Sequence, residues 1–450
     1  MNTKRMAMMV TIIVGFGYLL FGLPDIGWGS RVVSAGKEPD VTFEKDITRI
    51  LQRSCQECHR RGGVAPMSLT SYDEARPWAR SIKEKVVTRV MPPFMADGPE
   101  GYYINDIRLT EKEIAAISRW VDSGAKRGNP ADHPKDIVWP QDTEWRTGTP
   151  DLILKPKTPH KVRNDGIDEY ALYAVGPDFK EDTWIRGIEF QPGNRAAVHH
   201  AALYLLPDRL KADEDGRIPG QWTNIMGGQL VLSWVPGSNP RVFKEGTAMM
   251  IPKGSRLGIQ VHYAPTTKEG VTDHTSIGLF YANGVVNKLV RYLYGGRHDI
   301  DIPAGEKHYE LVNYRRFRTD ALITGFGAHM HLRGKSFKIG LIYPDGRKEL
   351  LFDLPRFDFN WQRGYSLAHP ITVPKGTVAE FTAVWDNSPQ NPRNPDPTQP
   401  VKFGEKTTDE MMGSTIGYLI PDENLGIRVK NGVRIDGNEE AKKDLPQSRR

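Results

Sequence analysis

Four textures of apolar and polar positions follow one another along the chain. Lys4 and Arg5 precede an apolar run over residues 6–22, which is the layout of an export signal. Val33, Ser34 and Ala35 offer a small-residue cleavage point before Gly36, yet the run is nearly long enough to span a bilayer. Residues 1–35 therefore read either as a signal peptide or as an inner-membrane anchor, and both place the remainder outside the cytoplasm, periplasmic or exported. Residues 41–128 carry helical periodicity. Phe43, Ile47, Ile50 and Leu51 share one face behind a Thr42 cap. Ser71-x-x-Glu74 opens a helix bearing Trp78, Ile82 and Val86, with Pro77 in its early part. Thr110-x-x-Glu113 opens another, with Ile114, Ile117 and Val121, closed by Gly124.

Residues 129–148 are rich in Pro, Asp and Trp without apolar period, and read as a linker. Beyond them the period shortens. Runs such as Leu152-Ile153-Leu154, 184–188, Arg256–Tyr263 and 377–385 are separated by Pro, Gly and Asn turns, which argues for antiparallel β-sandwiches. The length fills two of them, over residues 149–288 and 289–422. Residues 423–450 are charged and poor in apolar side chains, and read as a flexible tail. The predicted fold class is a small all-α domain followed by two all-β sandwiches.

The 450 residues are enough for two or three domains. Sixty-one basic residues nearly balance 55 acidic ones, for a net charge of +6, and the mean hydropathy is −0.50. No polybasic run with interleaved aromatics occurs, so the pattern gives no support to nucleic acid as a partner. The basic excess suits a solvated surface that meets an acidic redox partner. Only two cysteines are present, Cys55 and Cys58, so there is no disulfide framework.

Those cysteines stand in Cys55-Gln56-Glu57-Cys58-His59, the C-x-x-C-H attachment pattern of covalent haem c. Two thiols three positions apart can form thioethers to the two vinyl groups of one haem, and His59 then brings an imidazole to the iron. No further Cys or well-spaced His follows to build a zinc site. For the sixth iron ligand Met91, before Pro92-Pro93, is the first candidate, with Met67 and Met95 as competitors. Residues 41–130 resemble the monohaem cytochrome c domains of bacterial exported proteins. The likeness is carried by Ala65-Pro66-Met67-Ser68-Leu69, Met91-Pro92-Pro93, Leu109-Thr110 and Trp120-Val121.

Five of the 12 histidines fall in three motifs of the β-rich region: Val198-His199-His200, Gln260-Val261-His262-Tyr263 and His329-Met330-His331. His329 and His331, two apart, project to one face of a strand and can share a metal. His199 and His200 are adjacent, and share one only if the backbone twists or ends there. Imidazoles suit copper in both oxidation states and a thioether favours Cu(I). Asp409 and Glu410 stand beside Met411-Met412, so a two-histidine, one-carboxylate iron site is a rival.

Taken together and in order, these motifs resemble the copper type II, ascorbate-dependent monooxygenases, the family of dopamine β-monooxygenase and peptidylglycine α-hydroxylating monooxygenase. The match runs over residues 182–419 and includes Ile302-Pro303-Ala304-Gly305-Glu306-Lys307, Gly334-Lys335 and Asp409-Glu410-Met411. The resemblance implies two copper ions. His199, His200 and His262 would hold the electron-storing copper, and His329, His331 and Met411, with Met412 as the alternative, the one that binds dioxygen. It also implies two jelly-roll-like sandwiches with solvent between the sites. Where peptidylglycine hydroxylases carry a substrate-binding arginine, this chain has Gly327, and the polar residues after their ligand methionine are Gly413 and Thr415 here. A peptide carboxylate therefore finds no clamp. The expected activity is copper-dependent hydroxylation of a small organic molecule by dioxygen. The haem would relay electrons from ascorbate, a quinol-linked donor or another cytochrome. The alternative is a non-catalytic haem and copper electron-transfer protein.

Overall fold

The computed structural model describes residues 40–138, 144–219, 229–404 and 406–436. The apolar run 6–22 and the cleavage point before Gly36 lie outside them. No helix among the described residues is long and apolar enough to cross a membrane.

The helical segment begins with a wide turn, Phe43–Ile47, that runs into Thr48–Ser54, and Phe43, Ile47, Ile50 and Leu51 are buried. Thr42 does not cap through its side chain. Instead its N–H donates to Asp46 at 2.8 Å, the carboxylate reaching back to the helix start. The helix expected after Ser71 is broken in two. Tyr72–Ala75 makes one turn, Arg76–Trp78 tightens around Pro77, and Ala79–Val87 resumes. Proline has no N–H to give to a helix ladder. The break leaves Trp78 42% exposed, while Ile82 and Val86 are buried. Thr110 and Glu113 form a reciprocal capping box on Glu111–Asp122, whose Trp120 packs on Phe43.

The rest of the chain is β-rich and sandwich-like. One four-stranded antiparallel sheet runs in the order Glu169–Val175, Arg256–Tyr263, Val198–Leu206, Gln229–Trp234. It faces a larger sheet centred on Thr183–Gln191 and Ser276–Tyr281. Alternate residues such as Ala171, Leu203, Val261, Ile185 and Leu279 fill the space between them, as a period of two requires. A second sandwich packs Arg291–Arg297, Met412–Leu419, Ala321–His329 and Tyr365–Val373 against Tyr309–Arg316, Val378–Trp385, Gly334–Ile342 and Lys348–Leu354. Phe326, Phe337, Phe381, Trp385 and Ile416 lie in its core.

Three boundaries differ from the sequence reading. The tail does not begin at 423: Ile427–Lys430 pairs with Gly284–Val286, and Val433 pairs with Thr183 in the first sandwich. Only Ile427 and Val429 need to be buried there, so a charged stretch can still complete a sheet. The division at 288/289 likewise shifts, because Lys288–Leu289 lies alongside Thr247–Ala248. The second sandwich is thus inserted between two edge segments of the first. Nor is the helical segment 41–128 self-contained. Phe94, Ala96 and Tyr103 sit in the second sandwich's core, and Tyr102 donates its hydroxyl to Leu351 O at 2.9 Å. On the other side Arg146 pairs with Glu57 at 2.5 Å, so the cysteine motif is fixed against the sandwiches.

Candidate metal centres

Three imidazoles meet on the outward face of the first sandwich. His200 and His262 are cross-strand partners, and Tyr170, the next residue along that row, stacks on His262 at 4.0 Å. A register shift between Val198 and His200 brings the adjacent His199 to the same side. That bulge is the backbone twist an adjacent pair needs. His200 Nδ1 lies 3.1 Å from His199 Nδ1 and 3.4 Å from His262 Nδ1, and one nitrogen from each ring lies within 4.8 Å of the others. The opposite nitrogens face acceptors. His262 Nε2 donates to Asp168 at 3.2 Å, Asp168 also accepts from Thr407, and His199 Nε2 donates to Asn360 Oδ1 at 3.2 Å. With the His199 and His262 protons held outward, their Nδ1 lone pairs turn toward His200 Nδ1, which is how a metal site is prepared.

Burial pulls all three imidazoles below the usual histidine range: His199 to about 4, His200 well below, and His262 down despite the opposing pull of Asp168. The hydrogen bond from His262, followed by that from Thr407, holds Asp168 at about 2 against the cost of burial.

The second pair is built differently from the expectation of two positions along one strand. Ala321–His329 ends at His329, Met330 turns into the core, and His331 lies in the following turn. The rings nevertheless meet edge to face with centroids 5.1 Å apart. His329 Nδ1 donates to Gln362 Oε1, and His331 Nδ1 donates to Asp409 O at 3.2 Å. His331 also meets the Lys406 backbone, while His329 has Gln362 as its hydrogen-bond partner among the described residues. Burial takes His329 down to about 4 and His331 well below the usual range. Met411 borders the same cavity as this pair, whereas Met412 is 2% exposed in the second core.

Neither carboxylate beside Met411 is offered as a ligand. Asp409 accepts from Lys406 N. Glu410 is fully buried and accepts from His331 N at 3.0 Å, Arg333 N at 2.6 Å, Trp385 Nε1 at 2.8 Å and Met411 N at 3.3 Å. Burial pushes it up to about 7 against the pull of those donors. The Glu410 side chain thus positions both His331 and Met411. Glu410→Gln turns an amide NH2 toward the same N–H donors, and is expected to cost about 2–3 kcal/mol of stability. Chemical denaturation checks this; a loss within about 0.5 kcal/mol of zero would remove Glu410 from this role.

The five depressed imidazoles fix a pH dependence for the metal-free protein. Their folded-state values lie below the ordinary histidine value of 6.5. The unfolded chain therefore binds more protons as pH falls through that range, and stability falls with it. Melting temperature should decline from pH 6.5 toward about 4. A flat profile across that window would contradict the buried, neutral rings.

Both clusters open on one cavity of about 800 Å³ between the sandwiches, which His200, His329, His331 and Met411 help to line. The clusters are not parted by open solvent alone. Phe359 stacks on His199 at 5.1 Å and meets His331 edge-on at 5.9 Å. Leading away from His329, the cavity surface carries Gly327 beside Thr415, Gly325 beside Gly417, and Gly296 beside Gly413. A Cβ at Gly327 would stand 3.0 Å from Thr415 Oγ1. No acidic side chain lines this cavity among the described residues.

Cys55, Cys58, His59 and Met91 line a second cavity, of about 880 Å³, between the helical segment and the sandwiches. Both cysteines are unpaired. His59 Nδ1 donates to Met67 O at 3.3 Å, leaving Nε2 free. Of the rival methionines, Met67 packs with the helical core and Met95 against the second sandwich. Gly237, at φ +79°, brings the loop from the first sandwich close to this motif: a Cβ there would stand 3.3 Å from Cys58 Sγ and 3.0 Å from Arg363 Nη2.

Sequence reasoning missed Asp168, Asn360, Gln362 and Phe359, which carried no motif of their own. Glu410 had a signal, but as a ligand candidate rather than as a support.

No family model matches the chain, and no curated protein does. Solved structures give only weak likeness. A Eubacterium rectale protein is 11% identical, with 58% of this chain and 71% of that one covered, at a TM-score of 0.20. The infectious bursal disease virus Gx strain structure is 9% identical, covering 63% and 74%, at 0.16. The tandem CBM22 domains of Paenibacillus barcinonensis Xyn10C are 7% identical, covering 60% and 98%, at 0.14.

Proposed function

We propose that this chain is an exported, haem-linked copper monooxygenase that hydroxylates a C–H bond of a small organic substrate with dioxygen. The observation that carries the reading is the pair of histidine clusters on one cavity, with one ring nitrogen of His199, His262, His329 and His331 tied to an acceptor. Copper at the two sites would supply one electron each and the reaction with dioxygen, and haem at Cys55, Cys58 and His59 would supply the entry for those electrons.

The donor sets fit those groups. His199, His200 and His262 offer three neutral imidazoles, and Asp168 behind His262 raises its basicity as a ligand. His329 and His331 offer two more, and Met411 adds the soft sulfur that favours the reduced ion. Glu410 is committed to N–H donors, which speaks for copper over a carboxylate-ligated iron. In the second cavity the two thiols, His59 and Met91 border one space.

The remaining residues act on the substrate. The glycine surface beside His329 leaves room for the body of the molecule. The absence of an acidic lining residue among those described argues against a cationic amine, and Gly327 leaves no clamp for a peptide carboxylate. This combination resembles the ascorbate-dependent copper hydroxylases in its ligands and departs from them in its substrate surface. The export assignment rests on the sequence of residues 1–35.

Oxygen uptake by the reduced, copper-loaded protein tests the reading. With a panel of neutral organic compounds, substrate-dependent uptake and a hydroxylated product are expected. Uptake without product, equal with and without substrate, would leave an electron-transfer protein.

A further inference from the structure

We propose that the turn at residues 358–363 positions a histidine of each cluster and forms the electron route from the Cys55–Cys58–His59 cavity to the His199 site. The proposal rests on the haem and copper reading above. Successive side chains of this turn reach three places. Phe359 stands between the clusters. Asn360 accepts from His199, and Gln362 accepts from His329. Trp361 and Arg363 line the cavity of the cysteine motif, and Arg363 Nη2 donates to Gly237 O beside Cys58.

The turn is held so that both amides have only one useful orientation. Asp358 caps Phe359–Trp361 and accepts from Asn360 N at 3.0 Å and Asn360 Nδ2 at 3.2 Å. It is paired in turn with Arg393 at 2.8 Å. Gln362 Nε2 donates to Phe359 O at 2.9 Å. With both NH2 groups committed, Oδ1 of Asn360 and Oε1 of Gln362 must face the histidines. An oxygen acceptor demands a proton from its partner. One turn therefore sets opposite tautomers, Nε2–H at His199 and Nδ1–H at His329, and in each case frees the inward nitrogen.

The same geometry gives a short path. From Trp361 at the cavity wall, one peptide step reaches Asn360, and one hydrogen bond reaches the His199 ring. The transfer is of a single electron: ferrous haem iron becomes ferric, a cupric ion becomes cuprous, and no bond or proton changes place. An added one-electron reductant such as dithionite supplies the haem.

The test uses full-length protein whose haem and copper contents have been matched across variants. Anaerobic stopped-flow follows the haem absorbance as ferrous haem passes its electron to cupric copper. Asn360→Leu is expected to slow this at least about tenfold, and Asn360→Asp, which keeps an oxygen acceptor, to restore most of the rate. Gln362→Leu is expected to alter the electron paramagnetic resonance signal of the copper at His329 while leaving the rate within about twofold of wild type. An Asn360→Leu rate equal to wild type, with both groups bound, overturns the route. Equal slowing by Asn360→Leu and Gln362→Leu also overturns it, because a merely structural role would not separate them. Wild-type protein that binds no haem or no copper fails at the matching step, and that result sinks the parent reading.

Discussion

Cys58→Ala is expected to slow steady-state turnover by about tenfold or more while leaving a single turnover of pre-reduced protein at the wild-type rate. On the haem reading proposed above, the substitution removes one of the two thiols that would anchor the group, in a motif that lies against both sandwiches, at the wall where Arg363 and Gly237 approach it. A haem with Met and His ligands has no open position for chemistry and serves electron transfer. Under the proposed function, weakening that attachment should starve the two histidine clusters of electrons without disturbing them. Reduction by a chemical donor before mixing with dioxygen and substrate bypasses the relay. Equal loss in both assays would show that the cysteine motif serves structure or chemistry rather than electron supply.

Met411→Leu is the second large effect. Leucine keeps the apolar bulk but removes the sulfur. His329 and His331 should still bind copper, since the substitution leaves both rings and their Nδ1 bonds to Gln362 and Asp409 in place. Product formation should fall by about 100-fold or more, because a two-imidazole site holds the reduced ion less well. Met412→Leu is the control. Met412 lies in the core at 2% exposure, where a volume-conserving change usually costs less than about 1.5 kcal/mol, and turnover should survive. Product formation is measured at saturating substrate. A Met412→Leu loss matching that of Met411→Leu would move the ligand assignment.

The strand content was readable because β-branched and aromatic runs alternate with Pro, Gly and Asn turns, and the capping box at Thr110 and Glu113 marks its helix without help from tertiary structure. What escaped was set by distant partners. Residues 427–434 look like solvated chain, yet they complete a sheet whose edge would otherwise be open. Phe94 and Tyr103 stand in an aperiodic stretch and fill the core of another unit. The adjacent pair His199-His200 posed a question that only a register shift answers, and no local signal announces a bulge. The residues that orient the rings lie far off in sequence, Asp168 94 positions from His262 and Asn360 161 from His199. Histidine spacing shows where a ligand is available; the partner that fixes its tautomer belongs to the fold.

Copper counting on three proteins decides whether the five histidines form two separate sites. Wild type, His262→Ala and His331→Ala are each loaded with copper, dialysed against a weak chelator and analysed for bound metal. Two coppers in wild type and one in each variant are predicted, with different paramagnetic resonance signals left in the two variants. A single copper in wild type, lost in both variants, would mean that the five imidazoles form one shared site, and no bound copper at all would contradict the account outright.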